Sequence, residues 1–122
     1  AFASYLSSRN VKLVLGGSDR WESVGNGLRA IQADFQDINR DRFVAVHDAA
    51  RPCFAIASVQ KVISTAQECG AAILAQPIWG TIKRVDADSN IYETVPRANL
   101  YQATTPQVSR LDWMLAAYAK EN

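Results

Sequence analysis

The 122-residue chain has almost no net charge: 13 Lys and Arg stand against 12 Asp and Glu, a balance of +1. That removes any bulk electrostatic case for nucleic acid or an anionic membrane surface as partner. Long hydrophobic runs are also missing; none approaches the ~20 apolar residues that span a bilayer, and no signal-peptide pattern opens the chain. Cysteine is scarce. The two present, Cys53 and Cys69, have neither Cys-x-x-Cys nor histidine spacing, which argues against a zinc site. Both read as reduced thiols of a cytosol-like compartment, with Cys69 a small core residue on the apolar face of a helix. Histidine occurs once, at His47. No Ser-His-Asp or Cys-His arrangement offers a covalent nucleophile.

What is there has a clear rhythm. Val11 to Leu15 (V-K-L-V-L) reads as a strand ended by the Gly16-Gly17 turn. Val24, Leu28, Ile31 and Phe35 recur at helical spacing, so a helix is expected from Ser23, weakened by Gly25 and Gly27. Phe43 to His47 is a second strand. A second helix carries Ile56, Val59, Val62, Ile63, Ala66 and Cys69 on one side, and Gly70 suits its C-terminus. Ala71 to Gln76 reads as a third strand, apolar enough to be buried on both faces. Strand, helix, strand, helix, strand predicts an α/β fold with a parallel sheet covered by helices. In such sheets the ligand crevice lies at the carboxyl ends of the strands.

The pattern then changes. Thr81 to Val85 and Ile91 to Val95 flank Asp86-Ala87-Asp88-Ser89-Asn90, a turn-forming cluster. They predict a hairpin, polar on both faces, that projects and packs on a partner. Ser109-Arg110-Leu111-Asp112 has the form of an N-cap opening a last helix with Leu111, Leu115 and Tyr118 in register. Trp21, Trp79 and Trp113 read as packing residues.

The segment V-H-D-A-A-R-P, residues 46–52, follows the second strand. Taken singly its residues are unremarkable: a lone histidine is more often structural than a base, and Asp48 with Arg51 can be a local ion pair of little worth. Together with the glycine turn and Ser23 they point to phosphate handling. Asp48 can hold Mg²⁺ through one carboxylate, with water and phosphate oxygens as the other ligands. Arg51 and Arg97 can grip phosphate in bidentate fashion. The small Ala49 and Ala50 let a ligand approach the backbone.

The blocks G-G-S-D-R-W-E-S-V-x-N-G-L, V-H-D-A-A-R-P, T-I-K-R, T-V-P-R and T-P-Q occur here in the order found in the 2-C-methyl-D-erythritol 4-phosphate cytidylyltransferase family, which the chain resembles from about Val11 to its last helix. The resemblance implies a Rossmann-like nucleotidyltransferase sheet covered by helices, with a projecting β-hairpin arm at about residues 80–100 that makes a homodimer. It implies transfer of CMP from CTP to methylerythritol phosphate, with Mg²⁺ and release of pyrophosphate, in non-mevalonate isoprenoid synthesis. By the same resemblance Gly16, Gly17 and Ser23 contact cytosine, Arg20 braces their loop, and Ala49 lies near the ribose. Asp48 sits by Mg²⁺ and the sugar phosphate, and Arg51 helps to hold the site. Thr81, Arg97 and Thr105 bind the acceptor phosphate, the first two reaching from a second subunit.

The sequence also departs from that pattern. Gly80 and Pro96 stand where the family usually has aspartate before Thr81 and Arg97. No G-x-G-x-R…P-K-Q loop and no D-N-x-K segment occurs in these residues, so the expectation is a partial domain, 1–122, of a longer enzyme, inactive by itself. A ribitol-5-phosphate-type cytidylyltransferase and a non-catalytic nucleotide-binding or dimerisation module are the alternatives. The expected compartment is the cytoplasm, with a plastid as the other option.

Overall fold

The structure, a computed structural model, describes residues 6, 8–35 and 41–120. They fall into two compact units: the described residues up to Val44 together with those from Arg110 onward, and Ala45–Ser109.

In the first unit, helix α1 spans Arg20–Asp34. It begins before Ser23 because Asp19 is its N-cap: the Asp19 carboxylate accepts the Glu22 N–H at 2.8 Å, satisfying one of the orphan donors of the first turn. Leu28 and Gly25 are its buried residues. The last helix, α3 (Leu111–Ala119), explains Gly25: a Cβ there would lie 3.3 Å from Tyr118 Cδ1. The Tyr118 ring stacks flat on Trp21, centroids 3.5 Å apart. Ser109 is not the N-cap of α3. It lies in the preceding strand, and Arg110 holds the cap position without a side-chain cap bond. Asp112 instead pairs with the Arg110 guanidinium.

Val11–Leu15 is not a strand. A β-branched run becomes one only where a neighbouring backbone pairs with it and covers one face; among the described residues none does, and Leu15 is 90% exposed.

Strand β1 (Phe43–Val46) matches the expected second strand within a residue. Helix α2 (Ile56–Cys69) ends as expected on Gly70, whose φ of 92° is left-handed. Its buried face is narrower than the periodicity suggests: Val62 and Ala66 are buried, Ile56 is exposed, and so is Cys69, which is not a core residue. The single hydrogen of the Cys69 thiol is shared between the carbonyls of Thr65 and Ala71, a local role that needs no burial. Strand β2 (Ala71–Pro77), on which α2 packs, is not buried on both faces; its partly covered positions alternate with exposed ones.

The last strand, β5 (Tyr101–Arg110), has no counterpart in the sequence reading. It takes the middle of the three-stranded sheet, in order β1-β5-β2, and pairs with β2 antiparallel, correcting the expectation of an all-parallel sheet. Pro106 hides the strand, because proline gives no hydrogen to a ladder and argues against an inner position. The register shows how it is tolerated. Ile73 faces Gln107 and Ala75 faces Ala103, so Leu74 alone stands opposite residues 104–106. Proline sits in a bulge, outside the ladder.

Strands β3 (Ile82–Val85) and β4 (Ile91–Val95) form the expected antiparallel hairpin. Apart from Ile82 and Val95, which are half-buried, its strand residues are exposed on both faces. Arg84–Glu93 at 2.7 Å and Lys83–Thr94 at 2.7 Å tie it across. Trp79, just before it, is 80% exposed and so is not a packing residue.

Candidate active site

The bulge in β5 aims a side chain. Thr105, only 7% exposed, is turned out of the ladder so that its Oγ1 accepts the backbone N–H of Asp48 at 3.2 Å. Thr104 Oγ1 donates to the Leu74 carbonyl at 3.2 Å and secures the bulge. Asp48 opens the turn that follows β1, closed by the Arg51 N–H donating to the Asp48 carbonyl at 3.0 Å. Arg51 Nε stands 3.3 Å from Asp48 Oδ2, and both side chains remain partly exposed. His47 Nε2 lies 2.9 Å from the Arg51 carbonyl, and the ring meets Phe54 edge-on at 5.1 Å.

Beside this turn opens a cleft of about 410 Å³, whose walls include His47, Ala50, Arg51, Gln76, Thr104 and Thr105. The turn thus sets Asp48 and Arg51 against Thr105, with Ala49 beside Asp48 in sequence; Arg51 and Thr105 line the cleft, whereas Asp48 and Ala49 are not in its wall. Thr81 and Arg97 are not in the cleft wall. Thr81 is exposed ahead of β3, and the Arg97 guanidinium donates to the Trp79 carbonyl.

Gly16, Gly17, Arg20 and Ser23 lie in the other unit, where they form a braced loop. Gly17 N–H donates to Ser23 Oγ at 2.9 Å, and that hydroxyl gives its own hydrogen to the Asp19 carbonyl at 2.8 Å. Glu22 accepts from the Ser18 N–H at 2.7 Å and the Ser18 hydroxyl at 3.0 Å, and Asn26 holds the Leu15 carbonyl at 3.1 Å. A Cβ on Gly17 would fall 2.3 Å from the Glu22 side chain, so a larger residue there would push Glu22 out of its bracing position. These bonds hold the Glu22 carboxyl below its ordinary value of 4.5, the Ser18 backbone bond foremost. Asp19, Glu22 and Asn26 thus brace this loop. The D-x-x-E spacing was the signal for Asp19 and Glu22.

A site for Mg²⁺ would be of the open kind. Among the described residues no three His, Cys, Asp or Glu side chains gather into a metal cage. Asp48, partly exposed at the turn, offers one carboxylate. That fits a magnesium ion, which keeps waters and shares phosphate oxygens, and does not fit an all-protein site.

Comparison with known proteins decides the family. The whole chain, residues 1–122, matches the IspD family, 2-C-methyl-D-erythritol 4-phosphate cytidylyltransferase. The chain belongs to this family. The cytidylyltransferase of Rhodopirellula baltica is 42% identical over 98% of this chain and 50% of its own length. That of Bacillus velezensis is 37% identical over 95% of this chain and 47% of its own. The crystal structure of the Francisella tularensis enzyme superposes with a TM-score of 0.74 at 34% identity, covering 86% of this chain and 47% of that one. A solved 4-diphosphocytidyl-2C-methyl-D-erythritol synthase covers all of this chain and 58% of its own with a TM-score of 0.83 at 30% identity. The family's mixed α/β nucleotidyltransferase fold is therefore the fold of this chain, which spans about half the length of these relatives.

Proposed function

We propose that the enzyme containing this chain transfers CMP from CTP to 2-C-methyl-D-erythritol 4-phosphate and releases pyrophosphate, and that the chain by itself is an incomplete part of it. The observation that carries this reading is the Asp48–Arg51 turn, tied to the buried Thr105 and set beside a cleft, in a member of this family.

An oxygen of the acceptor phosphate attacks the α-phosphorus of CTP. One P–O bond forms as the bond to pyrophosphate breaks, and no covalent enzyme intermediate is needed. Asp48 would hold Mg²⁺, which when bound draws charge from the phosphate oxygens. Arg51 pairs with Asp48 and presents a cation at the cleft. Thr105 has spent an acceptor lone pair on the Asp48 N–H and keeps its O–H to donate to a phosphate oxygen. The Gly16-Gly17 loop, with an ionised Glu22 in its brace, suits a neutral base edge better than a triphosphate.

Thr81 and Arg97 stand outside their own chain's cleft wall. The hairpin that they flank is exposed along most of both strands, which supports a homodimer in which it carries them to the partner's acceptor phosphate. The soluble substrates make the cytoplasm the expected compartment, or a plastid.

The test is pyrophosphate release by the complete enzyme with CTP, Mg²⁺ and methylerythritol phosphate, run beside ribitol 5-phosphate. Asp48→Ala should lower the rate by at least ~10²-fold, as loss of a group that stabilises transferring charge does. Full activity in that variant, or a preference for ribitol phosphate, would sink the reading.

A further inference from the structure

We propose that His47 is a positioning residue for this reaction, acting through the backbone of Arg51 rather than as a base; the inference rests on the cytidylyl-transfer reading above. A carbonyl oxygen only accepts, so the 2.9 Å contact between His47 Nε2 and the Arg51 carbonyl requires the hydrogen on Nε2. That nitrogen has no lone pair left to take a proton from a substrate. The bond instead spans the Asp48–Arg51 turn. Thr105 anchors the turn at its entry through the Asp48 N–H, the Arg51 N–H closes it onto the Asp48 carbonyl, and His47 anchors its exit. Phe54, edge-on to the imidazole, sets the plane of the ring.

The turn is largely exposed, and its ion pair is open to water. Such a pair is too weak to hold two side chains in one geometry. The His47 bond therefore fixes where the Arg51 backbone sits, and with it the direction of the guanidinium and its grip on Asp48. Both must be placed to a fraction of an ångström for in-line transfer.

The discriminating variants are His47→Phe and His47→Gln in the complete enzyme. Phenylalanine keeps an aromatic ring against Phe54 and deletes the donor. Glutamine carries an amide nitrogen about as far from the backbone as Nε2 and restores it. His47→Phe should lower kcat roughly 10- to 100-fold, leaving KM for both substrates within about two-fold, the pattern of an interaction used in the transition state. His47→Gln should recover most of the loss, with both variants melting like the parent. Unchanged kcat in His47→Phe, a rise confined to KM, or equal loss in both variants would overturn the inference. If His47→Phe fails to fold, His47→Gln decides alone: kcat near the parent supports the role, and a deep loss ends it. Asp48→Ala in the same assay separates the two readings. Turnover retained there removes the site itself, whereas turnover lost there but intact in His47→Phe removes only the part given to His47.

Discussion

At residue 86 a single carboxylate organises the tip of the hairpin. Asp86 accepts backbone hydrogens from Asp88 at 3.0 Å and Asn90 at 2.8 Å, and Ser89 turns through a φ of 67° between them. The Asn90 backbone bond is the main reason that its carboxyl lies below the ordinary value of 3.8. A depressed folded value means that the stabilisation is complete above 3.8 and is lost as pH falls through the lower folded value. The Asp88 and Asn90 amides should shift and exchange faster with solvent in that acid window, as followed by NMR. Asp86→Ala should abolish the pH dependence and leave the tip loose at neutral pH. At this scale much was legible: Asp48 and Arg51 stand where the H-D-A-A-R-P block put them, and the D-S-N cluster marked the turn. Glu22 and Asn26 went unread because their work is to bond a loop backbone, which leaves no mark in hydrophobic periodicity.

Among the elements, α1 gives the clearest contrast between what spacing can and cannot say. Its two glycines look equally costly in a helix, yet the structure separates them. Gly25 lies under Tyr118, while a Cβ on Gly27 would meet nothing within 4 Å. Gly27→Ala should therefore stabilise the fold by about 0.5–1 kcal/mol. Gly25→Ala should forfeit that gain, because Tyr118 must shift while stacked on Trp21. Thermal or urea denaturation of the two variants checks the difference; equal effects would mean that Gly25 has no packing role. Helix α2, β1 and the hairpin were readable because local periodicity and turn chemistry agree there. Strand β5 was not, since a bulge holding Pro106 breaks the pattern by which strands are recognised. The antiparallel β2–β5 pairing was illegible for the same reason: a missed central strand leaves only its neighbours to infer direction from.

For the whole molecule, the hairpin makes the testable claim. Ile91 and Tyr92 are both 63% exposed on a strand whose Arg84 and Lys83 partners are already bonded across the ladder. Such apolar exposure on an otherwise polar arm is what the dimer proposed above would cover. Sedimentation of the complete enzyme should show a dimer, and Ile91→Lys should shift it toward monomer by placing a charge in the joint. A parent that sediments as a monomer would refute the arm's role and, with it, the placing of Thr81 and Arg97 in a partner's site. The α/β class could be read from order and spacing alone. The two compact units could not, because their boundary runs through β1 and falls after Ser109, where the sequence shows no linker.

The run Val11–Leu15, which joins no strand among the described residues, has a consequence for how the protein behaves in a tube. Leu13 and Leu15 face solvent beside backbone groups that make no ladder, and an open apolar edge of this kind is a template on which another copy can zip. A net charge of +1 supplies little repulsion to keep copies apart. The isolated chain should therefore tend to self-associate through this short stretch, and Leu15→Lys should reduce that tendency in light scattering.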